Sequence, residues 1–269
     1  MSANAVVAQV RHNPTMTANT LPISPTNTSP TKQLAVVTGA SRGLGFESAR
    51  GLAGAGFDLA LVAKDETRLQ DAARRLLAEF PDLEVYCCPA DLEHPDETRA
   101  VISTISTLRQ VTVLVVAHGV MSEKMSKTLR TNDAEWRRVM AINLDSVFAL
   151  LNGIVPAMVE ARLGRVIVYS ACLGRMSGPG NTGGYAPYRV SKAAVNAMVR
   201  NLAHETGLGS RGVLIDAVCP NHSRTDMGGP NAPRSAAEGA ATSIWLATRT
   251  FTSGDITGAL WEDEQIVPW

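Results

Sequence analysis

Several features that would direct a chain toward particular partners are absent from this sequence. Lysine plus arginine and aspartate plus glutamate each number 25 among 269 residues, so the formal net charge is zero. Without a basic surplus there is no reason to expect a nucleic-acid partner, and no acidic run indicates a charged one. No apolar run reaches the roughly 18 residues of a membrane span, and the N-terminus lacks a secretory signal pattern. We therefore expect a cytoplasmic protein that binds neither nucleic acid nor membranes.

Cysteine is also scarce. The four cysteines show neither CxxC nor metal-ligand spacing, and the five histidines show no metal spacing. Buried, reduced thiols are the default for such cysteines in a cytoplasmic protein. We predict no metal site.

The composition changes after the first 31 residues. Residues 1–31 are rich in threonine, asparagine, proline and serine. Such a segment cannot bury enough apolar surface to offset the entropy of ordering, so we predict a disordered tail. The remainder, 32–269, contains no convincing linker and is predicted to form one domain.

Short apolar runs alternate with helical patterns throughout that domain. The runs lie at 34–37, 59–62, 85–88, 111–116, 165–170 and 213–218. Runs of this length suit strands that are buried on both faces. Their alternation with helices predicts a parallel sheet covered on both sides, in an α/β fold.

A glycine-rich segment directly follows the first apolar run. Residues 38–45 read Thr-Gly-Ala-Ser-Arg-Gly-Leu-Gly and open a helical pattern. Glycines let the backbone approach a pyrophosphate, which the N–H groups and dipole of a helix N-terminus attract. This placement predicts a dinucleotide site in a Rossmann-type doubly wound sheet, a three-layer α/β/α sandwich. The predicted contacts are Gly39, Ser41, Arg42, Gly43, Leu44 and Gly45.

The end of the second run bears on which dinucleotide binds. An NAD site places a carboxylate there to bond the ribose 2′-hydroxyl. In this chain Ala63 stands at that position and Lys64 follows. Together with Arg42, Lys64 offers two cations for a 2′-phosphate, which favours NADP(H). The alternatives are that both cations are solvated surface charges and that Asp65 contacts the ribose.

Tyr188 and Lys192 lie four residues apart, and on a helix this spacing puts both side chains on one face. A free tyrosine has a pKa of about 10 and is a poor acid or base at neutral pH. A nearby cation favours the phenolate and lowers the pKa of the tyrosine toward the working range. The pair alone is a common surface pattern, but together with the glycine loop it predicts an acid–base site.

These residues together resemble the short-chain dehydrogenase/reductase family from Leu34 onward. The matching positions are Gly39, Gly43, Gly45, Asp91, Leu92, Asn143, Tyr188, Lys192 and the segment 219–227. The C-terminal stretch, 257–269, resembles the carbonyl-reductase-like branch of the family.

The resemblance implies a role for each matched position. Tyr188 would protonate a carbonyl oxygen while hydride leaves the nicotinamide, and Lys192 would bind the nicotinamide ribose and lower the tyrosine pKa. Asn143 would position a water that links the lysine to solvent. The other implied cofactor contacts are Asp91, at the adenine, and Leu92, Gly119, Pro220 and Thr225. Because family members commonly pair, a homodimer or homotetramer is expected.

The fourth strand departs from the family pattern at its end. Where the family has Asn-Asn-Ala-Gly, residues 116–119 read Val-Ala-His-Gly. His118 is either a packed histidine or a group at the meeting point of cofactor and substrate.

The catalytic serine is the second departure. The family places two serines after the fifth strand and uses the second, whereas here Ala171 follows Ser170 in that slot. Neighbouring strand residues face opposite sides, so Ser170 replaces the missing serine only if the strand end is distorted. The loop before Tyr188 is longer than the family norm and could bring Ser170, Asn181 or Thr182 over the carbonyl.

The sequence and this resemblance therefore predict an NADP(H)-dependent oxidoreductase that interconverts a carbonyl and an alcohol on a small apolar molecule. Secondary metabolism is one possible origin of that molecule. The predicted catalytic residues are Tyr188, Lys192, Asn143 and Ser170. Because Ala171 fills the serine slot, two alternatives stay open. One is a non-redox enzyme on the same scaffold (a cyclase, isomerase or dehydratase), and the other is a binding partner with a vestigial site.

Overall fold

The computed structural model describes residues 8–9, 32–123, 126–252 and 254–269. The predicted disordered tail, 1–31, lies outside the described residues except for a two-residue strand, β1 (Ala8–Gln9), which pairs antiparallel with the strand at Val85–Pro89.

Each of the six predicted strands is present. They are β2 (Leu34–Thr38), β3 (Asp58–Ala63), β4 (Val85–Pro89), β5 (Val111–Val116), β6 (Gly164–Tyr169) and β7 (Val213–Val218). The sequence did not indicate two further short strands near the C-terminus, β8 (Leu260–Glu262) and β9 (Gln265–Val267).

The strands of the described chain form one sheet in the order β1-β4-β3-β2-β5-β6-β7-β8-β9. Every pair from β4 to β8 is parallel, and only the two outer pairs are antiparallel. Alternate residues of a strand enter opposite sides of the core. Leu34 and Val36 pack in one apolar cluster, and Ala35 and Val37 pack in the other. This two-sided burial explains why the runs read as continuously apolar.

Helices cover both faces of the sheet, which confirms the predicted three-layer α/β/α sandwich. They are α1 (Gly43–Gly54), α2 (Glu66–Glu79), α3 (Pro95–Ser106), α4 (Asp133–Met140), α5 (Ser146–Ala161), α6 (Ala186–Glu205) and α7 (Ala236–Thr248). Helices α1, α2 and α7 contribute to one apolar cluster, and α3, α5 and α6 contribute to the other.

A π-helical turn, Ala141–Asp145, joins α4 to α5 in one continuous helical run. This run, Asp133–Ala161, is long and apolar enough to cross a membrane by length and composition alone. In the fold, however, α5 packs on α3 and on strands β5 and β6. A helix in a protein core passes the same test of composition.

The order of the strands reverses between β2 and β5. The chain leaves β2 toward α1 and β3, whereas β5 continues toward α4, α5 and β6 on the other side. In open parallel sheets ligands bind at the carboxyl ends of the strands at such a switch point. The segments that follow β2, β5, β6 and β7 meet at this edge and form the site.

Candidate active site

Two adjoining cavities lie at the switch point. The first cavity, of about 580 Å³, is lined by the predicted cofactor contacts Gly39, Ser41, Arg42, Gly43, Leu44, Gly45, Lys64, Asp91, Leu92, Gly119 and Thr225. The second cavity, of about 480 Å³, is lined by Tyr188, Lys192, Ser170 and Pro220, and also by Ala171 and Cys172. Leu44, His118, Gly119 and Thr225 line both. The two cavities therefore form one continuous crevice.

Two glycines of the loop, Gly39 and Gly45, have no room for a side chain. Gly39 has a φ of +66°, and a Cβ there would lie 2.9 Å from the backbone of His118. A Cβ on Gly45 would lie 2.3 Å from the carbonyl oxygen of Gly39. These contacts explain the glycines in terms of close backbone packing at the β2–α1 turn.

The N-terminus of α1 is suited to an anion. Its N-cap residue, Arg42, is extended, no side chain of the described residues caps it, and its first turn carries no acidic residue. The first N–H groups of a helix lack partners within the helix and attract negative charge. Because Gly43, Leu44 and Gly45 line the first cavity, this helix end fits a pyrophosphate there.

Both predicted phosphate-binding cations reach the first cavity, and each is paired with a carboxylate. Lys64 Nζ lies 2.6 Å from Asp91 Oδ2, and Arg42 pairs with Asp226. The hydrogen bond to Asp91 raises the pKa of Lys64. Burial opposes ionisation of Asp91, but its hydrogen bonds outweigh that effect and its pKa lies below the ordinary value. Asp65, the alternative ribose contact, caps α2 by accepting from Arg68 N at 3.0 Å.

Tyr188 and Lys192 occupy the first turns of α6, and both are buried. Lys192 Nζ lies 5.9 Å from the centre of the Tyr188 ring and donates to the carbonyl oxygen of Tyr169 at 2.7 Å. Burial lowers the pKa of Lys192 to about 8. Both side chains therefore face the second cavity, as their spacing predicted.

The expected direction of the tyrosine pKa shift is wrong for this structure. Burial raises the pKa of Tyr188 above its ordinary value, and the thiols of Cys219 and Cys172 raise it further. The reason is that the lysine ammonium bonds a backbone oxygen, while the phenol lies in an apolar environment that disfavours its charged form. Tyr188 therefore keeps its proton at neutral pH.

Asn143 lies in the π-helical turn and is fully buried. Its side chain accepts from Val120 N at 2.8 Å and donates to Val120 O at 2.9 Å and to Ser191 Oγ at 3.1 Å. A Cβ added to Gly119 would lie 3.3 Å from Asn143 Oδ1 and 3.5 Å from Lys192 Nζ. Asn143 therefore ties the segment after β5 to α6, immediately behind the lysine.

The hydroxyl of Ser170 is engaged elsewhere. Ser170 Oγ donates to Asn196 Oδ1 at 2.5 Å, which ties the end of β6 to α6. Ala171, which lines the second cavity, fills the family's serine slot without a hydroxyl. Asn181 and Thr182 are exposed and do not contribute to that lining, so neither of these two residues supplies the missing group.

His118 is an uncharged histidine that is held by hydrogen bonds on both ring nitrogens. Its Nδ1 lies 2.7 Å from Thr38 Oγ1, which accepts from backbone amides, and its Nε2 lies 2.7 Å from Ser146 Oγ and 3.1 Å from Ile142 O. These partners fit a ring that accepts at Nδ1 and donates at Nε2. Burial lowers the pKa of His118 to about 3, so the ring stays uncharged. His118 thus links the ends of β2 and β5 to the π-helical turn. Of the two interpretations that the sequence offered, the structure agrees with the packed histidine.

Three residues of the crevice were missed or given little weight from sequence. Cys172 and Cys219 line the second cavity, and Asp226 lines the first. Cys219 and Asp226 lie in the matched segment 219–227, but no role was predicted for any of the three residues, because they reach the crevice from segments that are far apart along the chain.

With this geometry established, similarity to known proteins identifies the class. The family described as short chain dehydrogenase matches residues 33–235. The chain therefore belongs to the short-chain dehydrogenase family of oxidoreductases.

Curated relatives show what this chain is similar to within the family. It is 31% identical over 202 residues to a 3-oxoacyl-[acyl-carrier-protein] reductase of Synechocystis, a match that covers 74% of this chain and 78% of the relative. It is 32% identical over 196 residues to the reductase FabG of Escherichia coli (72% and 75% covered). It is 33% identical over 195 residues to a galactitol 2-dehydrogenase of Cereibacter sphaeroides (72% of each chain).

Solved structures show the same fold. A metagenomic short-chain oxidoreductase in complex with NADP superimposes with a TM-score of 0.70 and 28% identity, covering 86% of this chain and 96% of that one. A short-chain dehydrogenase from Sphingobium yanoikuyae in complex with NADPH has a TM-score of 0.70 and 25% identity, with 79% and 83% covered.

Proposed function

We propose that this protein is an NADP(H)-dependent reductase that interconverts a carbonyl and an alcohol on a small apolar molecule. The observation that carries the proposal is the placement of Tyr188 and Lys192. Both are buried against the cavity that continues from the glycine loop and the N-terminus of α1. A phenol hydroxyl thus lines the same continuous crevice as the predicted dinucleotide contacts.

The residues of the first cavity fit the proposed cofactor. The glycine loop and the N-terminus of α1 would hold the pyrophosphate, and Lys64 and Arg42 would hold the 2′-phosphate after exchanging their present carboxylate partners. Lys192 and Thr225 line the second cavity together with Tyr188. When bound, the cofactor supplies or accepts the hydride.

The side chains of this protein handle the proton. Tyr188 is protonated at neutral pH and donates from its hydroxyl oxygen to the carbonyl oxygen of the substrate. The charge left on the phenolate is stabilised by the ammonium of Lys192 when Lys192 is protonated, that is, below its pKa of about 8. Asn143 keeps the segment that carries Gly119 fixed beside the lysine.

The walls of the second cavity favour an apolar substrate. Met121, Leu173, Tyr185 and Met227 contribute to its lining. Pockets of this kind bind mainly through apolar contacts and use a few polar groups for orientation. Two of the relatives bear names of 3-oxoacyl reductases, which supports a ketone as the reacting group.

The missing hydroxyl favours one alternative function, a non-redox reaction, which the experiment below has to distinguish from reduction. With Ala171 in the serine slot and Ser170 bonded to Asn196, the oxyanion of a hydride transfer has one donor fewer. Loss of one such donor typically costs about 10²–10³ in rate, roughly 3–4 kcal/mol. A non-redox reaction in the same cavity does not require that donor.

Binding and turnover can be tested together. NADPH is expected to raise the melting temperature more than NADH at equal concentration, because a ligand that binds only the native state stabilises it. A panel of apolar ketones should then consume reduced-nicotinamide absorbance. Binding of NADPH followed by product formation without a change in that absorbance would support the non-redox alternative. Absence of a shift with either dinucleotide would support the vestigial site.

We also propose that the protein forms a homodimer or homotetramer in the cytoplasm. A groove of about 560 Å³ runs between α5 and α6 and is lined by Phe148, Val155, Val159, Met198 and Leu202. Phe148 is 57% exposed there. An exposed apolar groove of this kind marks an interaction surface. Light scattering should show an oligomer, and Phe148→Asp should yield a monomer; a wild-type monomer at micromolar concentration would contradict the proposal.

A further inference from the structure

Among the described residues, four cations line the first cavity, and each is paired with a carboxylate. The pairs are Arg42–Asp226, Lys64–Asp91, Arg68–Asp65 and Arg138–Glu135. A phosphate monoester carries about two negative charges at neutral pH. A phosphate that enters this cavity therefore has to compete with a carboxylate for each of these cations. The four pairs differ in how firmly the carboxylate is held.

Three of the four carboxylates also bind a backbone N–H group. Asp91 Oδ1 accepts from Glu93 N at 3.1 Å, and its side chain is 15% exposed. Asp65 Oδ1 caps the N-terminus of α2 by accepting from a backbone N–H at 3.0 Å. Glu135 Oε1 accepts from Glu123 N at 2.7 Å, and its side chain is 7% exposed. Displacing any of these three carboxylates from its cation therefore disturbs a hydrogen bond to the backbone as well.

Asp226 is held differently. Its side chain is 69% exposed, and within the described part of the chain its carboxylate has no partner other than Arg42. The backbone beneath the carboxylate is fixed, because Thr225 Oγ1 accepts from Gly228 N at 3.1 Å. The methyl group of Thr225 also packs on Gly43, where an added Cβ would lie 3.1 Å away. The carboxylate can therefore leave Arg42 by rotation of its side chain, without a rearrangement of the loop.

We propose that Asp226 determines how strongly the first cavity prefers NADPH over NADH, because its carboxylate competes with the 2′-phosphate for Arg42. The inference rests on the proposed cofactor site and names the residue that sets its selectivity. A phosphate binds the guanidinium through two N–H groups, and the carboxylate of Asp226 rotates into solvent. The 2′-hydroxyl of NADH carries no charge and leaves the Arg42–Asp226 pair in place. Asp226 therefore lowers the affinity for NADPH and not that for NADH.

The size of the effect follows from the exposure of the ion pair. Ion pairs between exposed side chains shift an equilibrium by at most about fivefold. Because the side chains of Arg42 and Asp226 are 56% and 69% exposed, removal of the carboxylate charge should tighten NADPH binding about three- to fivefold. The Debye length falls from about 10 Å at 0.1 M to about 3 Å at 1 M ionic strength. The gain should therefore shrink as salt is added, which a merely structural role of Asp226 would not produce.

The experiment measures the dissociation constants of NADPH and NADH for the full-length protein by calorimetry, at low and at high salt. Asp226→Asn should tighten NADPH binding about three- to fivefold at low salt and leave NADH binding unchanged. Asp226→Glu keeps the charge and should bind NADPH much as the wild-type protein does. The matched control is Asp263→Asn, which removes the exposed partner of Arg234, at the far end of the same loop and outside the first cavity. It should change neither constant.

A second set of measurements combines Asp226→Asn with Arg42→Met. Without the guanidinium most of the gain in NADPH affinity should disappear, because the effects of two interacting residues are not additive. The proposal is overturned by an unchanged NADPH constant in Asp226→Asn, by an equal gain for NADH, or by a full gain in the Arg42→Met background. A gain specific to NADPH without consumption of any ketone would refute the reductase and support the role of Asp226. Wild-type protein that binds neither dinucleotide would refute both.

Discussion

A serine at position 171 tests whether Ala171 occupies the position of the family's catalytic serine. Ala171 is extended (φ −158°, ψ 152°), is 8% exposed and lines the second cavity together with Tyr188. A serine at this position adds one oxygen toward a cavity of about 480 Å³, so space is available. One oxyanion donor is worth about 10²–10³ in rate, which sets the upper limit of the gain. We expect Ala171→Ser to raise kcat for reduction of an apolar ketone by at least about tenfold.

The pattern of the kinetic constants is part of this prediction. A donor that acts on developing charge stabilises the transition state more than bound substrate, so kcat should rise while KM changes little. The assay is NADPH consumption at saturating ketone, followed by absorbance.

The matched control is Ser170→Ala. It removes the donor to Asn196 Oδ1 and leaves a buried acceptor unpaired, at a cost of about 1–3 kcal/mol in the free energy of unfolding. Its main effect should be a lower melting temperature. The reasoning is refuted if Ala171→Ser leaves kcat unaltered while Ser170→Ala destroys turnover without loss of stability, because Ser170 would then be the donor.

The remaining predictions concern the cofactor, the acid and the loop. Lys64→Ala should weaken NADPH binding about five- to tenfold and NADH binding far less, since an exposed charge contact contributes roughly 1 kcal/mol. The control Arg74→Ala, in α2 and outside the lining of the first cavity, should change neither; equal losses of both cofactors with Lys64→Ala would count against the 2′-phosphate role. Tyr188→Phe should lower the reduction rate by about 10²–10⁴ while NADPH still raises the melting temperature, and unimpaired turnover would remove Tyr188 from the mechanism. The reduction rate should fall as pH rises through about 8, because the folded pKa of Lys192 is depressed and its ammonium is lost there; a rate that stays constant to pH 10 contradicts this assignment. The unfolded chain keeps the Lys192 proton up to the ordinary pKa of 10.5. Burial of this charge therefore lowers the free energy of unfolding below pH 8, and this cost is lost progressively as the pH rises from about 8 to 10.5. Gly45→Ala places a methyl group 2.3 Å from a backbone oxygen and should lower both the melting temperature and NADPH affinity. Normal affinity would show that the loop rearranges to accommodate the methyl group.

The sheet was predictable because its strands are buried on both faces. Each central strand reads as a continuous apolar run, and that signal is local. Strands β8 and β9 were missed because each has only three residues. Strand β8 pairs with β7, and β9, which is largely exposed, pairs only with β8. Helix α6 begins at Ala186, and Pro187 is tolerated because it lies in the first turn.

The glycine loop and the Tyr188–Lys192 pair were predictable for the same reason, since neighbours in sequence become neighbours on one turn or helix. The direction of the Tyr188 pKa shift was not, because it depends on how deeply α6 is buried and on which atom Lys192 bonds. The pairing of Arg42 with Asp226 depends on the path of two loops that are far apart in sequence, which no local pattern encodes.

The central claim is that a proton from one buried phenol and a hydride from NADPH reach the same carbonyl. The most direct test is a single-turnover reaction of deuterated NADPH with an apolar ketone, analysed by mass spectrometry of the alcohol. The account predicts one deuterium on the carbinol carbon with the wild-type protein, and no labelled alcohol above background with Tyr188→Phe in the time that the wild-type protein needs for one turnover. An alcohol that carries no deuterium, or equal transfer by both proteins, would contradict it.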